Sequence, residues 1–117
     1  MLIKNEKFLG DVTIRNEVLA RMAGAVASKC YGVVGMAAKD AKDGVVSILK
    51  ANNITKGIGV SVEDGRAVIE LHIIVEYGTN ISTICKSIAN RVRYAIAEYA
   101  GVKVKRIDIK VEGIRTE

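Results

Sequence analysis

Apolar residues near the N-terminus follow a helical period. The stripe consists of Val18, Met22, Val26 and Cys30, flanked by Leu19, Ala23 and Ala27. Charged residues occupy the opposite side, so the pattern predicts an amphipathic helix from about Asn16 to Cys30. Asn16 is suited to be its N-cap, and Gly32 fits the left-handed position that ends many helices.

Three short segments near this helix are less regular. Within residues 11–14, Val12 and Ile14 alternate with polar residues, which predicts a short strand leading into the helix. Residues 33–38 form an apolar run that fits either a strand or a buried connection. Apolar residues recur at helical spacing between about 43 and 51, and this predicts a short middle helix.

Two alternating runs joined by Asp64-Gly65 give the clearest local signal. A two-residue Asp-Gly loop is typical of a type I′ hairpin turn, which places Glu63 opposite Arg66. Every pair on one face is then apolar: Val62 with Ala67, Val60 with Ile69 and Ile58 with Leu71. Because turn chemistry and alternation agree on this register, we expect this face to pack against both major helices.

The second strand of the hairpin continues to Tyr77, beyond the reach of its partner, so another segment must pair with that half. A second helix follows, with Gly101 after its last turn and with an apolar stripe of Ile81, Ile84, Cys85, Ile88, Val92, Ile96 and Tyr99. The final strand, from about Val102 to Gly113, changes its apolar phase near Lys105-Arg106, which predicts a β-bulge. Strand, helix and strand in this order favour a parallel crossover beside the long hairpin strand.

These elements predict an α+β fold in two layers. A small mixed β-sheet with a central hairpin would carry two main helices on one face, plus the short middle helix. The chain has 117 residues, half of them hydrophobic and 26% charged, which fits one domain over residues 1–117 with a core from about 10 to 113. No apolar run approaches the roughly 18 residues of a membrane-spanning helix, and the charged N-terminus differs from a signal peptide. We therefore expect a cytoplasmic protein.

Candidates for catalytic or metal chemistry are few. His72 is the single histidine, and Glu70 precedes it on the same strand face, but no nucleophile is paired with them in the sequence. Cys30 and Cys85 with one histidine cannot complete a zinc site, and reduced core cysteines are favoured. Gly32–Gly35 has the form of a nucleic-acid-binding GxxG loop, but its middle residues are apolar, and a helix end followed by a strand fits better. The sequence predicts no catalytic residue, metal, cofactor or small-molecule substrate.

The other face of the hairpin is the candidate interface. Its residues are Gly57, Gly59, Val68, Glu70, His72 and Ile74. The glycines leave this face bare, and Val68 and Ile74 point outward from the long strand. We therefore expect self-association through this face or through a strand edge.

The last third of the chain is its most basic part, in a protein whose net charge is +5. The candidate basic patch consists of Lys86, Arg91, Arg93, Lys103, Lys105 and Arg106. Such a patch favours an acidic partner, RNA or an anionic membrane surface. Acidic residues at 108 and 112 interrupt it, and the chain has one Phe and no Trp, which disfavours nucleic acid without excluding it.

Several short motifs occur in an informative order. They are Gly10-Asp11-Val12-Thr13-Ile14 before the first helix, Tyr31-Gly32-Val33-Val34-Gly35-Met36 after it, Lys42-Asp43-Gly44 in the middle segment, and Ile73-Ile74-Val75-Glu76-Tyr77-Gly78-Thr79-Asn80-Ile81 before the second helix. Together they resemble the alkaline shock protein family, also called the Gls-type envelope stress response proteins of Gram-positive bacteria, over roughly residues 10–113. Arg15 departs from the small polar helix cap that these proteins commonly have.

The resemblance implies a small, non-enzymatic cytoplasmic protein of cell-envelope stress and homeostasis that self-associates. Some relatives are held at the membrane by a separate integral membrane protein, and the family offers no established binding site to carry over. Two hypotheses follow. The chain is either a scaffold or interaction protein that forms homo-oligomers, or a small RNA- or anionic-lipid-binding module that uses the basic patch.

Overall fold

The computed structural model describes residues 5–38, 49 and 55–116, with side chains from residue 16 onward. Its elements are α1 (Asn5–Ser28), β1 (Val33–Met36), β2 (Ile58–Glu63), β3 (Arg66–Glu76), α2 (Ile81–Ala95) with a following π-helical segment (Ile96–Ala100), and β4 (Val104–Arg115). The short middle helix predicted between 43 and 51 lies outside the described residues, apart from position 49. Two helices and a four-stranded sheet confirm the α+β prediction.

β3 is the central strand of the sheet. β2 pairs with its first half and β1 with its second half, both antiparallel, while β4 runs parallel to it along residues 67–76. Since β4 occupies one edge of β3 over that whole length, β1 and β2 share the other edge. The sheet is therefore mixed, as predicted, and residues 33–36 are a strand that pairs with the far half of the hairpin.

The predicted hairpin register is confirmed at every pair along β2 and β3. Asp64 and Gly65 have positive φ angles of 54° and 75°, as a type I′ turn requires of both central residues. Ile69 and Leu71 are buried in the core as expected. Val62 is not, because it lies beside the turn, where the helices no longer cover the hairpin, and it is 58% exposed.

The first helix is longer than predicted. α1 begins at Asn5, so the strand predicted within residues 11–14 and the N-cap predicted at Asn16 are wrong. Alternation over so few residues cannot distinguish a strand from a helix, and the chain has no proline to stop a helix from extending. Each added residue gains a backbone hydrogen bond without a new nucleation step, so the helix extends through this segment.

Both helices pack on the apolar face of the hairpin. The core includes Leu19, Ala23 and Ala27 from α1, Ile84, Ile88 and Val92 from α2, and Ile69, Leu71, Ile73 and Val75 from β3. Gly32 has the predicted positive φ, and a Cβ at this position would lie 2.4 Å from Cδ1 of Ile84. The chain therefore turns from α1 into β1 directly against α2. Within the described residues, neither helix has the length and hydropathy needed to cross a membrane.

α2 begins at Asn80, whose side-chain oxygen accepts a hydrogen bond from the backbone N–H of Thr83 at 3.0 Å. The predicted apolar stripe is largely buried as far as Ile96, but Tyr99 at its end is 76% exposed. A π-helical turn holds more residues than an α-helical one, so it rotates the following side chains away from the stripe. Gly101 ends the segment in the left-handed conformation, as predicted.

β4 contains two bulges. Its pairing with β3 skips Lys105, between Val104 and Arg106, and skips Glu112, between Val111 and Gly113. The first bulge is the predicted one, and the second was not foreseen from the sequence. Between them, the stretch Arg106–Val111 pairs regularly with β3 and places Arg106, Asp108 and Lys110 beside Val68, Glu70 and His72.

Candidate functional site

The predicted interface residues of β3 lie on the face of the sheet away from the helices, here called the outer face. Three of them are nevertheless buried, with exposures of 6% for Val68, 5% for His72 and 0% for Ile74. The expectation that Val68 and Ile74 are exposed is therefore wrong. These exposures are those of a single copy, so the chain itself covers Ile74. This residue cannot contact a partner while the fold is intact.

Val68 is buried in part beneath an ion pair that joins β4 to β2, the two strands on either side of β3 at this point. Arg106 on β4 and Glu63 on β2 lie on opposite sides of that strand, and their side chains meet at 3.2 Å. The link passes over the outer face of β3 near Val68, which stands directly beside Arg106 in the sheet.

The two predicted interface glycines have different roles. Gly57 is buried in the turn before β2, and a Cβ there would lie 2.3 Å from the backbone oxygen of Ala37. The absence of a side chain at Gly57 lets its backbone lie against the backbone of Ala37 at the end of β1. It does not leave part of the outer face bare, contrary to what the sequence predicts. Gly59 lies opposite Glu70 on the outer face and is half-buried. It lines a shallow depression of about 270 Å³ together with Val68 and Glu70.

His72 lies between two carboxylates. Its Nε2 is 2.5 Å from Oε2 of Glu70, and its Nδ1 is 2.5 Å from Oε2 of Glu112. The imidazole is buried, whereas each carboxylate is about one third exposed. Ionised carboxylates only accept hydrogen bonds, so two protons shared among the three groups are needed to satisfy both contacts.

The second bulge of β4 explains how Glu112 reaches the ring. Glu112 is the extra residue between Val111 and Gly113, and a bulge re-aims the side chain of the residue it inserts. The sequence carried a signal for it, because the apolar phase changes between Val111 and Ile114. Sequence reasoning ended the strand at Gly113 and so missed both the bulge and Glu112.

This Glu70–His72–Glu112 cluster joins β3 to β4. A catalytic histidine exchanges a proton with its substrate through a ring nitrogen, but both nitrogens of His72 face carboxylates of its own chain. The geometry therefore favours a structural link over the catalytic interpretation of Glu70 and His72.

A second group of charges surrounds the hairpin turn. Lys105 Nζ lies 2.8 Å from the carboxylate of Asp64 and 3.3 Å from that of Glu63, and Arg106 contacts Glu63 at 3.2 Å and Asp108 at 3.1 Å. Hydrogen bonds from Lys105 and then Arg106 hold the pKa of Glu63 below its usual value. The hydrogen bond from Arg106 to Asp108, and to a smaller extent the one to Glu63, raises the pKa of Arg106. Lys105 and Arg106 are thus neutralised locally by acidic neighbours.

The other four residues of the basic patch form a separate group, which we call the α2 basic surface. It consists of Lys86, Arg91, Arg93 and Lys103, and all four are exposed. The sequence of α2 contains no acidic residue. Arg93 Nη1 donates a hydrogen bond to the carbonyl of Val104 at 2.9 Å, which brings the end of α2 beside the start of β4. The predicted basic patch is therefore divided between two places of different electrostatic character.

Both cysteines are free thiols. Cys30 is buried and its Sγ donates to the carbonyl of Val26 at 3.4 Å, while Cys85 is half-buried. Burial raises the pKa of both thiols, whereas reactive cysteines have a lowered pKa. The structure thus supports a packing role for them. In the described ranges, no group of three or more His, Cys, Asp or Glu side chains is arranged so that it could hold a metal ion.

Comparison with known proteins identifies the family. Residues 4–116 match the model of the ASP23 family, described as having a cell envelope-related function. YloU of Bacillus subtilis strain 168 is 40% identical over 107 residues, which cover 91% of this chain and 89% of YloU. Spy1614 of Streptococcus pyogenes serotype M6 is 30% identical over 116 residues, which cover 98% of this chain and 96% of that protein.

A more distant relative carries a functional name. It is the stress response regulator gls24 homolog of Streptococcus pyogenes serotype M3, 21% identical over 108 residues, which cover 92% of this chain and 60% of the relative. No solved structure matches the chain significantly. The resemblance seen in the sequence motifs is confirmed: the chain belongs to the ASP23, or alkaline shock protein, family, whose function is related to the cell envelope.

Proposed function

We propose that this chain is a non-enzymatic interaction protein of the cytoplasm, which acts in the envelope stress response and in envelope homeostasis by forming homo-oligomers. The family description supports the envelope role, and the relative named as a stress response regulator supports the link to stress. The support for self-association comes from the sheet.

The observation that carries the proposal is the open edge of β4. This strand is 12 residues long, and none of its residues is buried. Within the described part of the chain, β4 pairs with β3 alone. A long edge strand presents a row of unpaired backbone N–H and C=O groups to which another chain can pair. The buried outer face of β3 offers less, so the strand edge is the better of the two predicted surfaces.

A separate surface at one end of the sheet is suited to a different partner. Tyr31, Tyr77 and Ile114 are all exposed. Backbone hydrogen bonds from Glu76 to Gly32 and from Tyr77 to Arg115 hold their segments side by side. Clustered aromatic and aliphatic side chains are typical of protein contact sites. We assign to this end the contact with a separate integral membrane protein that would hold the chain at the membrane.

Sedimentation velocity of the intact protein tests the self-association. The average mass should rise from that of a monomer at low micromolar concentration to at least that of a dimer at high micromolar concentration. A protein that remains monomeric throughout contradicts the proposal.

The contact with a membrane protein is tested separately. The double variant Tyr31→Ser with Tyr77→Ser should reduce recovery of the protein in the membrane fraction of the native cell without changing the oligomer mass. Unchanged recovery rejects that assignment.

The α2 basic surface favours a second candidate function, which is binding to an anionic lipid surface or to RNA. Its four cations lie on and beside a helix that has no acidic residue, and exposed Tyr94 and Tyr99 add aromatic rings close by in the sequence. Cations with neighbouring aromatic side chains can bind phosphate groups, and such binding weakens as salt rises.

Vesicle flotation and RNA binding separate this candidate from the first. The protein should float with vesicles that contain phosphatidylglycerol, but not with pure phosphatidylcholine, or it should bind a single-stranded RNA oligomer. Lys86→Glu with Arg91→Glu should abolish either interaction, whereas Lys56→Glu changes an exposed charge elsewhere and should have a smaller effect. Absence of binding to both probes at low salt rules out this second function.

A further inference from the structure

We propose that two copies of this chain pair through β4, antiparallel, about a two-fold axis at Ile109. Their four-stranded sheets would then form one sheet with twice that number of strands. The inference rests on the self-association proposed above, and it names the surface and the register.

The backbone groups of β4 point alternately to β3 and to the open edge. Ala67 N–H donates to the carbonyl of Lys103, and Tyr77 N–H donates to that of Arg115, so the odd-numbered residues of β3 face β4. In a parallel ladder, the residues opposite the even-numbered positions then bond to β3. These are Arg106, Asp108 and Lys110. The residues that present N–H and C=O at the open edge are therefore Ile107, Ile109 and Val111.

This open stretch has defined ends. On one side, the carbonyl of Val104 points away from β3 and already accepts from Arg93, and the Lys105 bulge follows. On the other side, the Glu112 bulge interrupts the ladder. Bulges discourage pairing along an edge, so regular pairing with a second copy is confined to the stretch between them. Ile109 lies near its middle.

The charges on the outer face of this stretch alternate in sign. In chain order they are Arg106, Asp108 and Lys110. An antiparallel pair about Ile109 places Asp108 opposite Lys110 of the second copy, twice. Opposite charges facing each other across strands are stabilising. The side chain of Lys110 has no hydrogen bond or ion pair within the described part of a single copy, so the pairing would give its ammonium group an acceptor.

Other registers are less favourable. Residues that face each other must lie on the same face of the sheet, so the axis has to pass through a residue position. An axis at Asp108 or Lys110 sets like charges opposite each other, which is destabilising. An axis at Ile107 or Val111 extends the pairing into a bulge. The charge pattern and the bulges together therefore select Ile109 as the centre.

The backbone agrees with this choice. With the axis at Ile109, backbone hydrogen bonds join Ile109 of one copy to Ile109 of the other, and Ile107 of each copy to Val111 of the other. These three residue pairs form about six backbone hydrogen bonds. The charged residues fall at the intervening positions, where side chains approach more closely. Ile107, Ile109 and Val111 already pack against the core from half-buried positions, and the partner strand would continue this apolar layer.

The interface is the same patch on both copies, so it closes at a dimer, and larger assemblies need another surface.

Charge reversal tests the register. Lys110→Asp sets a carboxylate opposite Asp108 of the second copy in both symmetric contacts and should raise the dimer dissociation constant about tenfold or more. Asp108→Lys should weaken the dimer similarly, and the double variant Asp108→Lys with Lys110→Asp should restore it. Lys103→Asp, the matched control outside the paired stretch, should have little effect. Thermal melting of each variant at low concentration verifies that the monomer is folded, which matters most for Asp108 because it contacts Arg106.

Hydrogen exchange of the wild-type protein gives an independent test that needs no substitution. In the monomer, the amides of Ile107, Ile109 and Val111 should exchange rapidly, while those of Asp108 and Lys110 are protected by β3. At concentrations where the oligomer forms, the first three should become protected as well. This alternation identifies the edge that pairs.

The outcomes separate the two proposals. A protein that never associates overturns both the self-association and the register. A protein that associates, but whose dissociation constant is unchanged by Lys110→Asp and whose Ile107, Ile109 and Val111 amides stay unprotected, overturns only the pairing through β4. Weakening by the single variants without restoration by the double variant overturns the register about Ile109.

Discussion

The two bulges of β4 insert a charged residue in the same way, yet they connect to different surroundings. Lys105 reaches Glu63 and Asp64 at the exposed end of the hairpin. Glu112 reaches His72, whose ring is buried beneath the outer face. Ion pairs between exposed groups add little stability, because water and salt screen them. A buried polar atom that loses its partner is costly. The burial of the partner, more than the number of ion pairs, decides which bulge stabilises the fold.

The largest expected effect is therefore at His72. His72→Ala would leave Glu70 and Glu112 facing each other without the intervening ring and would open a cavity beneath them. We expect the free energy of unfolding to fall by about 2–3 kcal/mol, reduced from the cost of a fully buried pair because both carboxylates are partly exposed. Urea denaturation measures this loss. The matched variant is Lys105→Ala, which also removes two ion pairs, and an equal loss for both variants would contradict the comparison.

A smaller effect is expected at the bulge residue itself. Glu112→Ala keeps the imidazole in place but removes the acceptor at Nδ1, which leaves a buried nitrogen without its partner. The free energy of unfolding should fall by about 1–2 kcal/mol, and Glu112→Gln, which retains an amide oxygen, should recover part of it. Chemical denaturation together with the nitrogen resonances of His72 would report both changes. If both variants were as stable as the wild type, Glu112 would have no role in holding β4 to β3.

The same comparison shows what the sequence could predict. The Lys105 bulge was predicted because apolar residues continue on both sides of it, from Val104 to Ile107, and their change of phase is visible. After the Glu112 bulge, only Ile114 continues the pattern. A glycine precedes that residue and is equally typical of a strand end. For this reason the sequence predicts the proximity of Glu70 and His72 but not the contact of Glu112 with His72.

Local rules predicted more of the fold than of the candidate site. The hairpin register follows from the Asp64-Gly65 turn and from alternation, both of which act over a few residues. Burial of Ile74 depends on what the rest of the chain places over the outer face, and alternation only states which face a residue occupies. Tyr99 was placed on a stripe by a period of 3.6, which the π-helical segment breaks. Errors therefore arose where tertiary packing or irregular backbone decides the outcome.

The smallest expected effect is at Lys105, and it is best seen in a titration. The hydrogen bond from Lys105 is the main cause that holds the pKa of Glu63 below its ordinary value of 4.5. Because the folded state lowers this pKa, the contact stabilises the fold at pH values above 4.5, and its contribution is lost as the pH falls through the pKa of the folded state. Lys105→Ala should raise the pKa of Glu63 toward its ordinary value, as measured by carboxyl NMR.

At neutral pH the unfolding midpoint of Lys105→Ala should stay close to that of the wild type, since Glu63 and Asp64 are exposed and solvent screens their contacts with Lys105. Lys110→Ala serves as the control, because Lys110 does not contact Glu63 and should leave its pKa unchanged. A marked loss of stability at neutral pH in Lys105→Ala would show that the Lys105 bulge, whose partners are exposed, holds the sheet together as strongly as the Glu112 bulge, whose partner is buried. The difference between the two bulges would then have to come from backbone geometry instead of burial.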